Sequence, residues 1–107
     1  MTITIFILLR ALPAWLALPR SDRDDIAEKA MASSGLAACG ALRLYDCEAF
    51  TARCSDMAVV ETTDLQGFYF AMERLRDSPL FAVPYFELID ILPGIENGFR
   101  QFAEGGR

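Results

Sequence analysis

Arg43–Thr63, RLYDCEAFTARCSDMAVVETT, is the stretch on which the fold turns. It interleaves apolar residues at strand spacing with the ionisable groups Arg43, Tyr45, Asp46, Glu48, Arg53, Asp56 and Glu61. Alternate residues of a strand face opposite ways. We therefore expect two strands, Ala38–Cys47 and Asp56–Thr62, as the central pair of a small sheet. Leu42 and Leu44 share one face of the first, and Arg43, Tyr45 and Cys47 the other. Asp46 and Glu48 depress strand propensity, so DCEAFTARC is compatible with a bulge, an extended edge or a helical turn.

Working outward, Thr2–Arg10 reads as a further strand, rich in isoleucine and bounded by Pro13. Both of its faces are largely apolar, which places it inside the sheet with cover on both sides. Its apolar run lacks a basic leader, is broken by Arg10, and falls short of the roughly 20 residues of a membrane span. Ala11–Arg20 is a linker in which Trp15 packs on the sheet or lines a pocket. Ser21 is the expected N-cap of a helix running to Ser34, with Asp22, Asp24 and Asp25 in its first turn and Gly35 as its stop. After the central stretch, Thr63 and Gln66 form a capping box that opens a helix to Asp77. Leu65, Phe68, Tyr69, Met72, Leu75 and Arg76 are its stripe, and Gly67 its weak spot. Ser78–Pro84 is a loop, Tyr85–Leu92 a fourth strand ended by Pro93-Gly94, and Ile95–Phe102 a short helix. The tail after Phe102 is expected to fray.

The order is β-α-β-β-α-β plus a terminal helix, a ferredoxin-like α+β pattern with an antiparallel four-stranded sheet. The 107 residues suit one domain. Helices in a chain this short cover one sheet face. The apolar other face predicts a homodimer packed sheet to sheet, of the dimeric α+β barrel type.

Composition bounds the function. A net charge of −5 argues against nucleic acid, and the dispersed arginines against an anionic membrane surface. The chain has no histidine. That removes the usual general base and the Ser-His and Cys-His nucleophile pairs, together with the commonest zinc ligand and haem ligand. The expectation is therefore no cofactor and no metal site, with a histidine-dependent haem or zinc site disfavoured. Cys39, Cys47 and Cys54 lack a CxxC pair and read as free thiols in a reducing cytoplasm. Cys54, beside Arg53, is the one candidate for a reactive thiol.

The candidate ligand-binding residues are Trp15, Arg43, Tyr45, Arg53, Glu61, Tyr69, Tyr85 and Glu87. Arginine would fork onto a carboxylate, tyrosine would orient it, and a desolvated glutamate could act as a base. The plainer account of Arg43, Glu61 and Glu87 is cross-strand ion pairing.

The stretches TIFILLRALPAWLALPRSDR, LRLYDCEAFTARCSDMAVVETTDLQGFYF, LRDSP and PYFELIDILPGIENGF cover most of Thr2–Phe102. In them the chain resembles the darcynin family of small bacterial proteins, a domain of unknown function. That resemblance implies a fold and supplies no catalytic residues. Around Trp15–Arg20 and Ser55–Leu65 the chain also resembles dimeric α+β barrel proteins at large, among them cofactor-free monooxygenases and haem-binding chlorite dismutase-like proteins. The latter resemblance implies a histidine at the haem, which this chain lacks. Two readings follow. One is a homodimer that binds a small anionic or aromatic ligand or acts as a cofactor-free enzyme. The other is a structural or protein-interaction homodimer without catalysis. The eight Phe, three Tyr and one Trp favour the first.

Overall fold

The structure, a computed structural model, describes residues 1–105. The remainder of the tail expected to fray, 106–107, lies outside the described residues. Four strands, β1 (Ile3–Ala11), β2 (Ala41–Asp46), β3 (Asp56–Thr62) and β4 (Phe86–Gly94), form one antiparallel sheet in the order β2-β3-β1-β4. The helices are α1 (Pro13–Leu16), α2 (Arg20–Ser34), α3 (Leu65–Asp77), α4 (Pro79–Ala82) and α5 (Gly98–Ala103). A 3₁₀ turn spans Leu36–Ala38. This is the expected α+β arrangement of the ferredoxin-like type. No helix of the described residues is long and apolar enough to cross a membrane.

The central pair differs from the expected one. β1 and β3 lie inside the sheet and β2 lies at its edge. The reason is in the side chains. β1 is apolar on both faces, and its Ile5 and Ile7 are only 2% and 3% exposed. They stand opposite Val60 and Ala58 of β3. β2 carries Arg43, Tyr45 and Asp46, charged and polar groups that suit an edge. It is also shorter than expected, because Leu36–Ala38 turns and Gly40 then runs directly against the backbone of Glu61. At the other edge, β4 continues through Pro93, which was read as a stop. An edge strand tolerates a residue without an N–H where no second neighbour needs the donor.

One sheet face meets α2 and α3. The buried stripe of α3 is Phe68, Ala71, Met72 and Leu75, whereas Leu65, Tyr69 and Arg76, read as part of it, face outward. Two caps also differ from expectation. α2 starts at Arg20, with Pro19 in an extended conformation before it, so Ser21 lies inside the helix. Arg23 reaches back to donate to the carbonyls of Leu18 (3.1 Å) and Leu16 (2.8 Å), which ties the linker to the helix. At α3 the cap is Asp64, not Thr63: its carboxylate accepts from the Gly67 N–H at 2.8 Å. A side chain on residue 67 would collide with that carboxylate, so Gly67 makes room for the cap. Gly35 ends α2 in the left-handed conformation (φ 73°), as the sequence predicts. Ser78–Pro84, read as a loop, contains α4, with Pro79 in its first turn.

The opposite sheet face carries Phe6, Leu8, Met57, Val59 and Leu92 among Arg43, Tyr45 and Glu61, as the strand register dictates. α5, shorter than its expected span, leaves Phe99 and Phe102 83% and 63% exposed. The shape is elongated, 52 × 30 × 18 Å, with a radius of gyration of 15.4 Å. A compact chain of this length has about 13 Å.

Candidate functional site

Between the sheet and the helices lies a cavity of about 210 Å³. Its floor is Ile7 and Leu9 of β1, Ala58 of β3, and Leu42 and Leu44 of β2. Its roof is Ala27 and Met31 of α2, Met72 and Leu75 of α3, and Leu80 and Phe81 of α4. Trp15 and Phe86 form a side wall. Their rings lie 4.9 Å apart at 54°, and Tyr85 packs on the Trp15 ring at 5.5 Å from outside the lining. The space exists because Ala27 and Ala58 project little, and the thioether chains of Met31 and Met72 adapt their shape.

The polar groups of the lining are the carboxylates of Asp46 and Asp56, which face each other across β2 and β3. Carboxylate oxygens of Asp46, Glu48 and Asp56 all lie within 4.8 Å of one another. Desolvation pushes the Asp56 carboxyl above its usual value, and the negative Asp46 and Glu48 add to the rise. A hydrogen bond from Ser55 Oγ (2.7 Å) works against it. The folded state therefore holds a proton at Asp56 that the unfolded chain releases at lower pH. Stability contributed by this group falls as pH rises from about 4 through the raised folded value, because the native state binds more protons there. Asp56→Asn is expected to flatten that decline. At neutral pH it should raise stability by less than about 1 kcal/mol, because the site is partly solvated. Urea midpoints of both proteins between pH 4 and 8 check it. An unchanged slope would show that Asp56 ionises freely.

The residues expected to bind ligand fall in three places. Trp15 lines the cavity and Tyr85 supports it. Arg43, Tyr45 and Glu61 lie together on the opposite sheet face, in an open groove with Thr4, Phe6, Met57, Val59 and Ile95. Glu87 pairs with Arg10 in the β1–β4 register. Arg53 and Cys54 belong to the β2–β3 loop, where Arg53 is exposed and Cys54 buried. Tyr69 is exposed on α3, with its hydroxyl held protonated to higher pH by a hydrogen bond to Glu73. The structure thus brings Arg43, Tyr45 and Glu61 into one groove and keeps them away from Trp15. The cavity residues Met31, Met72, Phe81 and Phe86 were not singled out as site residues. Only the Asp46–Asp56 pairing had a signal, through the register of the two strands that flank DCEAFTARC.

Solved structures share this fold. A haem-binding protein from Thermus thermophilus superposes with a TM-score of 0.77 at 13% identity, over 96% of this chain and 44% of that one. Chlorite dismutase from Candidatus Nitrospira defluvii, in complex with imidazole, gives 0.72 at 13% identity over 87% and 39%. This chain therefore spans less than half the length of the solved structures it matches. At that identity the likeness shows the fold. It also corrects the expectation of no cofactor and of a haem site disfavoured: a neighbour in this fold is described as haem-binding. Imidazole is one haem ligand among several, and methionine thioethers also ligate haem iron. The helix side of the lining supplies the thioethers of Met31 and Met72.

Sequence relatives agree with one another. A darcynin from Chromobacterium violaceum is 52% identical over 61 residues, 57% of this chain and 77% of the relative. A darcynin homolog from Streptomyces avermitilis is 34% identical over 99 residues, 91% of this chain and 81% of the relative. The model of darcynin, a domain of unknown function, matches residues 1–105, and the chain belongs to that family.

Proposed function

We propose that the chain is a ligand-binding homodimer whose cavity between sheet and helices takes a small aromatic or apolar molecule. The observation that carries this is the apolar cavity walled by Trp15, Phe81 and Phe86. Aromatic walls favour a flat guest through stacked and tilted ring contacts. The volume lies below the usual 300–1,000 Å³ of drug-sized sites, about right for one or two rings. Of the two ligand classes drawn from the sequence, the lining favours the aromatic one. Its charged groups are Asp46 and Asp56, which accept hydrogen bonds and repel anions. A guest with a donor or a positive charge at one end would meet them there. If the site is catalytic without a cofactor, Asp56 is the group placed to move a proton, because its carboxyl is shifted toward neutrality. Haem is a specific alternative guest. Met31 and Met72 would then hold the iron, and the cavity of about 210 Å³ would have to enlarge to admit the ring. Homodimer formation is supported by the apolar second sheet face and by the exposed Phe99 and Phe102.

Native mass spectrometry of protein purified from its own host tests both parts. A dimer carrying a discrete mass that leaves on denaturation is the expected result. An accompanying Soret band would identify the mass as haem. A bare dimer that also takes up neither an apolar dye nor added hemin would overturn the ligand reading and favour the interaction homodimer. A bare monomer would overturn the dimer.

A further inference from the structure

We propose that Cys47 and Cys54 are a redox pair that forms a reversible disulfide across the β2–β3 loop, with a small-molecule disulfide as the oxidant. Just past the last pair of the β2–β3 ladder, Asp46–Asp56, the Cys47 N–H donates to the Ser55 carbonyl at 2.8 Å. Opposed residues in such a ladder have Cα atoms about 5 Å apart. Cys54 adjoins Ser55, whose N–H turns to Leu9 while its carbonyl meets Cys47, so the chain leaves the regular ladder at Cys54 and its thiol neighbours that of Cys47, as a disulfide requires. Together with partial burial, the Cys54 thiol helps raise the Cys47 pKa, as a near neighbour does, and the Cys47 thiol itself is directed to the Tyr45 carbonyl at 3.9 Å. Both are free, as is Cys39.

The loop is already ordered by hydrogen bonds at both of its ends. The N–H groups of Phe50 (2.9 Å) and Thr51 (3.2 Å) donate to the Cys47 carbonyl. The Arg10 guanidinium reaches from β1 to the carbonyls of Ala52 and Arg53. Ser55 N–H donates to the Leu9 carbonyl at 2.9 Å. Little chain entropy is left to lose on closure. Cys39 stands apart on the 3₁₀ turn, with its thiol directed to the Leu36 carbonyl at 3.0 Å.

Access sets the order of events. Cys47 is half-buried and Cys54 is 8% exposed. The Cys47 thiolate attacks one sulfur of the external disulfide, forming a mixed disulfide and releasing one thiolate. Cys54 then loses its proton and attacks the Cys47 sulfur, and the second external thiolate leaves. Two protein thiols have become one disulfide, and one external disulfide has become two thiols. Partial burial, the Cys54 thiol and the negative Asp56 and Glu48 all hold the Cys47 thiol above its usual value, so the reaction should accelerate as pH rises. The bond would lie beside Asp46 and Asp56, and it stands independently of what the cavity binds.

The test is incubation of the folded full chain with oxidised glutathione, followed by alkylation and tryptic mapping. Trypsin cuts after Arg53, inside the loop. The expected result is a fall in free thiols from three to one, with Cys39 alkylated. The peptides Leu44–Arg53 and Cys54–Arg74 should remain joined until reductant is added. Cys39→Ser should leave the link intact, and Cys54→Ser should leave Cys47 as a persistent glutathione adduct. Three alkylatable thiols at equilibrium would overturn the proposal, as would a stable glutathione adduct on wild-type Cys47 or a link that joins two chains.

Discussion

Replacing Gly40 with alanine is expected to destabilise the protein by about 3 kcal/mol or more, beyond the usual range for a single methyl. Gly40 brings the chain from the 3₁₀ turn into β2 directly over the backbone of β3. A Cβ there would overlap the Glu61 carbonyl oxygen, and it would also lie 2.9 Å from the Glu61 carbonyl carbon and 3.1 Å from Thr62 Cβ. The first two are backbone atoms, so no rotamer change relieves the clash. The Glu61 residue belongs to both ladders of β3, opposite Thr4 on one side and Ala41 on the other. Moving it also disturbs buried Thr62, whose hydroxyl donates to the Cys39 carbonyl at 2.6 Å. Domains of this kind hold about 5–15 kcal/mol in total, so the loss should appear as a large drop in the urea midpoint. Gly94→Ala is the control. A Cβ at residue 94 meets nothing within 4 Å, and its effect should stay within about 0.5 kcal/mol. Equal effects at the two positions would mean that residues 39–41 shift away without cost.

The same glycine marks the limit of what the sequence discloses. Asp56–Thr62 was legible as a strand because Ala58 and Val60 alternate with Met57, Val59 and Glu61 over its whole length. β1 was legible as an inner strand because both of its faces are apolar. Gly40 gave no such signal, because its role depends on which strand lies beneath it. Likewise, alternation finds β2 but does not rank it against β1 as a central strand. Its run of charged and polar residues was the clue to an edge. Thr63 and Asp64 are both competent caps, and Gly67, read as a weakness, was what favoured Asp64. α4 is too short for periodicity to reveal. The cavity was the least legible feature. Its lining comes from residues spread between Ile7 and Phe86, and only the packing of helices on the sheet brings them together. Chemistry alone points to the candidate residues, and most of those on strands face away from the cavity. The absence of histidine was a poor guide to haem for a related reason. It bears on one ligand type, whereas a neighbour that shares this fold is described as haem-binding.

Ala58→Phe is expected to abolish binding in the cavity, weakening it at least 100-fold, which is about 2.7 kcal/mol, while leaving the fold intact. Ala58 is 5% exposed and sits on the cavity floor, between Ile7 on β1 and Leu44 on β2. Its Cβ faces the helices, so a phenyl ring on residue 58 would enter the space below Met31 and Met72. Enlarging a side chain in a filled core costs about 1–3 kcal/mol through strained rotamers and displaced backbone. In an existing cavity the added ring gains packing instead, and a strand position suits an aromatic residue. Stability should therefore stay within about 1 kcal/mol of wild type or rise. Three measurements separate the possibilities. Urea unfolding reports whether the ring fits, and titration with the neutral dye Nile red, together with native mass spectrometry of the purified variant, reports whether the site is still available. A stable variant that has lost the dye and any co-purified mass places the ligand between sheet and helices. A stable variant that binds as wild type does would move the site elsewhere, with the open groove of Arg43, Tyr45 and Glu61 as the next place to test. A variant destabilised by several kcal/mol would show that the cavity collapses in solution, and the ligand reading would then lose the observation on which it stands.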